Sequence, residues 1–78
     1  MANLYLKSHV LEVVENQLRA NDPPITKTTY ERLQSLNYTK KQAKEKIAAV
    51  LLEEIYDVLK SNEQYNEKRY TERLESIK

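Results

Sequence analysis

Residues 39 to 60 restrict what this chain can fold into more than any other stretch. Placed at 100° per residue, their apolar side chains sweep about 260° of a helix circumference. A helix apolar on nearly all sides must be covered by other elements, so this one is predicted to be the hub of its domain. Its polar wedge is narrow, consisting of Gln42, Lys46, Glu53, Asp57 and Lys60. Inside the apolar arc, flanked in projection by Ile47, Val50 and Val58, stands the carboxylate of Glu54. A charge in such surroundings needs a partner or a purpose.

The chain contains no glycine. Phosphate-cradling loops, dinucleotide-binding turns and most tight β-hairpins depend on that residue, so these architectures are excluded. Turning falls to asparagine and proline. Asn21 can adopt the left-handed conformation that closes a helix, and Asp22 can then cap the next one with Pro23 at its first position. Asn37 supplies a second stop. Thr39 and Gln42 have the spacing of a capping box, Asn62 is suited to end the helix they begin, and Asn66 to cap the last one.

Between these signals the apolar spacing is helical throughout. The first stripe comprises Leu4, Leu6, Val10, Leu11, Val13, Val14 and Leu18; the second, narrower, comprises Ile25, Thr29, Leu33 and Leu36 with Tyr30 on its shoulder. The last, Tyr70, Leu74 and Ile77, is thin enough to predict peripheral docking and fraying. The expected fold is all-α: one domain, 1–78, built as a compact bundle of four helices at about 3–20, 23–36, 40–60 and 67–77, with the third central.

A chain of 78 residues buries roughly 60 to 65% of its extended surface, which makes stability marginal. Cysteine is absent and histidine occurs once, so neither disulfides nor an ordinary zinc cluster can staple the domain, which favours oligomerisation. The longest apolar run, 47–52, is far short of the ~18 residues a membrane span needs, and no signal-peptide core is evident at the N-terminus; a cytoplasmic location is expected. A formal charge of +1 with both signs interspersed gives no field that would gather nucleic acid or anionic lipid.

Three groups of residues merit a functional reading. Glu54 is expected to pair with Lys68, Arg69, Arg73 or a tyrosine hydroxyl brought in by the last helix; unpaired, it would mark an interface. Lys40, Lys41, Lys44 and Lys46 crowd the start of the third helix while Glu53, Glu54 and Asp57 lie toward its end, against the helix macrodipole. Cross-helix pairing with the basic last helix and with Glu12 or Glu15 explains that order; the alternative is an anion contact, with the second and third helices acting as a helix-turn-helix on DNA. Tyr5, His9, Glu12 and Asn16 share one polar sector of the first helix and form a candidate recognition surface. No nucleophile elbow, second histidine or pair of acids in a cleft is present, so neither enzymatic activity nor a metal or other cofactor is expected.

The succession Val14-Glu15-Asn16-Gln17-Leu18, Asn21-Asp22-Pro23-Pro24, Thr29, Arg32-Leu33, Ala43, Ile47-Ala48, Val50-Leu51, Glu54-Ile55 and Arg69-Tyr70 resembles a family of small bacterial all-helical proteins classed as a domain of unknown function. The resemblance extends from about His9 to Leu74. It implies an all-helical fold and supplies no activity. Members of that family tend to carry glycine near Asn37 and a histidine immediately before Ile47, where this chain has Lys46; a metal role for such a histidine together with His9 would have no counterpart here. The expected function is that of a non-enzymatic protein-interaction module, self-associating, as a homodimer for instance, through apolar surface of the third helix. Nucleic-acid binding through the lysine cluster is the alternative.

Overall fold

The computed structural model describes the backbone of residues 2–78 and the side chains from Ser8 onward, so Leu4, Tyr5 and Leu6 lie outside the described side chains. Four helices follow one another: α1 (Ala2–Ala20), α2 (Pro24–Ser35), α3 (Lys40–Ser61) and α4 (Glu67–Ser76). Three asparagines take the backbone where glycine usually takes it, with φ of 53° at Asn21, 75° at Asn37 and 53° at Asn62. The short polar side chain makes the left-handed region accessible at modest cost. At the end of α1 the Asn21 amide donates to the Leu18 carbonyl and the Asp22 amide to that of Gln17; at the end of α2, Asn37 and Tyr38 repeat the pattern with Gln34 and Leu33. Both are Schellman closures, which satisfy carbonyls that a helix end leaves without partners.

The start of α2 differs from the expectation. Pro23, in extended conformation at φ −76° and ψ 151°, is the cap residue, the helix begins at Pro24, and no side chain caps it. Asp22 does not serve as the cap because the helix begins one residue later than expected, at Pro24, which leaves Pro23 in the cap position. The start of α3 is as expected: the Thr39 hydroxyl accepts from the Gln42 amide at 3.0 Å and the Gln42 side chain accepts from the Thr39 amide at 2.9 Å. Asn66 caps α4 through the Arg69 amide at 3.0 Å.

At about 1.5 Å per residue α3 is about 33 Å long, close to the longest dimension of a molecule measuring 36 × 30 × 23 Å. It touches each of the other three helices, and α2 additionally touches α1 and α4. The core gathers Val10 and Val14 from α1, Leu33 from α2, Ala43, Ile47, Ala48, Val50 and Leu51 from α3, and Tyr70 and Leu74 from α4. No helix among the described residues is long and apolar enough to cross a membrane.

Four side chains depart from their expected places. Val13 and Leu36 are exposed, Leu36 because it lies at the C-cap of α2, beyond its last full turn. Tyr70 and Leu74 are wholly buried, so α4 docks into the core rather than peripherally. Arg32 explains part of this. Its guanidinium reaches from α2 to the end of α4 and donates to the carbonyls of Ile77 and Leu74, both at 2.8 Å. Charged donors at a helix C-terminus satisfy its open carbonyls and oppose the negative end of its dipole.

Candidate functional site

Glu54 is fully buried, and its carboxylate is surrounded by donors from the segment that follows α3. Arg69 Nε donates to Oε1 at 2.9 Å and Nη2 to Oε2 at 2.7 Å, a two-pronged grip that fixes orientation as well as charge. The Asn66 amide adds a bond to Oε2 at 3.2 Å, and Arg73 Nη1 stands 3.5 Å from Oε1. The Arg69 guanidinium holds the carboxyl below the usual carboxylate range against the opposing effect of burial, with the Asn66 amide assisting. Arg69 also reaches Glu63 at 3.1 Å, and Arg73 pairs with Asp57. Glu54 thus anchors α4 and the 62–66 connector onto the hub helix.

The charge order along α3 follows from the same contacts. Glu54 and Asp57 face the arginines of α4, and Lys44 pairs with Glu15 of α1. Lys46 lies over the Tyr38 ring, 4.6 Å from its centroid, and Lys44 lies 5.8 Å from that of Tyr30. Lys40 and Lys41 are exposed in the first turn. The four lysines therefore divide between two engaged side chains and two solvent-facing ones.

Of the polar sector on α1, His9, Glu12 and Asn16 are exposed; Asn16 accepts from Arg19 at 3.1 Å, and Tyr5 falls outside the described side chains. Among the described residues no three of histidine, cysteine, aspartate and glutamate converge in a way that could hold a metal.

A second polar node, not expected from the sequence, lies between helices. Gln17 Oε1 accepts from the Thr26 hydroxyl at 2.8 Å and from the Tyr70 hydroxyl at 3.0 Å, tying α1, α2 and α4 together. Gln17 shares its side of the wheel with Val10 and Val14, which was the available sign that its amide points inward. Burial pushes the Tyr70 hydroxyl above its ordinary range.

The remaining feature is what α1, α2 and α4 leave uncovered. Along the outward face of α3, Ala49, Tyr56 and Leu59 are exposed and Leu52 half-buried, with Tyr56 at 52% and Leu59 at 74%. Comparison of the chain with protein-family models, with curated proteins and with solved structures finds no match.

Proposed function

We propose that this protein is a non-enzymatic helical interaction module that associates with itself through the outward face of α3, working in the cytoplasm without a cofactor. The observation that carries the reading is the line of Ala49, Leu52, Tyr56 and Leu59, spaced three and four residues apart on one side of the central helix and left open by its three companions. Small domains rarely leave large side chains in such a row without a partner to cover them. The Glu15-Asn16-Gln17 and Asp22-Pro23-Pro24 pattern, similar to that of uncharacterised small bacterial helical proteins, accords with a structural or binding role and assigns no chemistry.

Light scattering on the purified chain tests the reading. A dimer at high micromolar concentration is expected, and a strict monomer there would overturn it. The nucleic-acid alternative has less support, because Lys44 is engaged by Glu15 and Lys46 lies over Tyr38, leaving Lys40 and Lys41 as the solvent-facing pair of the cluster. Salt-dependent retention of a DNA duplex would favour it over self-association.

A further inference from the structure

The outward face of α3 carries a projection and a depression on the same helix. Toward the C-terminal end stand Tyr56 and Leu59. Toward the N-terminal end, Tyr38, Gln42, Glu45, Lys46 and Ala49 line a shallow depression of about 420 Å³. The depression is open to solvent, so a phenol ring can lie against its wall with one face still uncovered. Its wall is held in place, since the Tyr38 hydroxyl donates to the Lys78 carbonyl at 3.0 Å while Lys46 covers the ring. Tyr56 cannot reach the depression on its own helix, because it lies seven residues, about 10 Å, beyond Ala49.

A second copy of the chain can bring projection and depression together. We propose, building on the self-association described above, that two copies pair antiparallel along α3 about a two-fold axis between Ala49 and Leu52, each seating Tyr56 in the other's depression. The small side chain of Ala49 near the axis permits close approach of the two helices. An isologous contact of this kind is closed: each copy supplies one projection and one depression, and nothing is left to propagate.

The charges at the edge of the face fit the same arrangement. Lys46 and Glu53 lie on one edge, seven residues apart and opposite in sign. The two-fold axis sets Lys46 of each copy near Glu53 of the other, giving two ion pairs. A parallel two-fold pairing would carry the two Lys46 and Glu53 edges to opposite sides of the contact and form neither pair. Glu53 is exposed and forms no ion pair among the described residues, so it is available. The contact runs along about 27 Å of helix, which places it among the small interfaces of less than about 1,200 Å² that exchange readily.

Sedimentation of charge variants reads this out. Lys46→Glu alone and Glu53→Lys alone should each weaken dimerisation about tenfold, since each puts two like-charged pairs at the rim. Mixed one to one, the two variants should pair with each other more tightly than either pairs with itself, because both edge pairs are then attractive. A wild-type dimer whose variants fail to rescue each other would overturn the antiparallel arrangement and leave self-association standing; a monomeric wild type would overturn both. The cysteine-free chain allows a second measurement that does not depend on charge. A short thiol-to-thiol cross-linker should join two copies of Ala49→Cys and leave Tyr56→Cys unjoined, and the reverse result would overturn the position of the axis.

Discussion

Arg69 donates to both carboxylate oxygens of Glu54, at 2.9 and 2.7 Å, and so joins the hub helix to a helix that begins thirteen residues later in the chain. The pair resolves a conflict within α3, whose apolar arc contains a charge that the core could not hold without a partner.

Removing the arginine leaves that charge buried. Arg69→Met should destabilise the fold by about 3 kcal/mol, the usual scale for breaking a buried pair from one side. Glu54→Met combined with Arg69→Met should recover most of the loss, because an apolar replacement for both partners leaves no charge to desolvate. Urea unfolding of the two variants measures the difference.

Acid should weaken the fold through the same residues. Glu54 titrates below its ordinary 4.5 and Asp57 below its ordinary 3.8, each held down first by its arginine. Because these folded-state values are depressed, the unfolded chain binds protons first. The stability they contribute is complete above about pH 5 and is lost as pH falls through the folded-state values. The urea midpoint should be flat between about pH 8 and 5.5 and decline below about pH 4.5, and Glu54→Gln should flatten that decline.

Two buried threonines one turn apart should respond oppositely to the same substitution. The Thr26 hydroxyl donates to Gln17, whereas the Thr29 hydroxyl is buried without a partner. Thr26→Val should cost about 1 kcal/mol by removing a made hydrogen bond, and Thr29→Val should gain about 1 kcal/mol by removing an unmade one. Thermal unfolding followed by circular dichroism separates the two.

Arg32 controls the end of α4. Arg32→Met should remove two charge-assisted bonds worth roughly 1.5 to 3 kcal/mol together, and the loss should concentrate at the C-terminus of the chain. Amide hydrogen exchange checks this: faster exchange confined to α4, with α1 and α3 unchanged, is the expected pattern.

Much of this was legible along the chain because it is decided locally. Asn21 and Asn37 close helices, and Thr39 with Gln42 opens one, through bonds spanning five residues or fewer, while Asn62 takes the left-handed backbone at the end of α3. The centrality of α3 was legible for a related reason, since an apolar arc of that width has to be covered whatever covers it. The reversed charge order of that helix was legible in part: Glu54 and Asp57 meet α4 and Lys44 meets Glu15, whereas Glu53, expected to face α4 as well, is exposed, and Lys40, Lys41 and Lys46 do not pair with α1 among the described residues.

What depended on tertiary structure were the contacts between distant segments. Gln17 meeting Thr26 and Tyr70, Arg32 reaching Leu74 and Ile77, and the docking of α4 into the core all join residues whose approach is set by how the helices cross. Periodicity identifies the side of a helix that is apolar; it does not specify the neighbour that side meets. Local chemistry along the chain therefore settled four helices, most of their ends and the hub among them, the cap of α2 excepted, because hydrogen bonding within a turn and hydrophobic burial act on each segment separately. The tertiary structure decided which polar groups find partners inside and which part of the α3 face stays open, because those outcomes depend on where three other helices run out of surface with which to cover it.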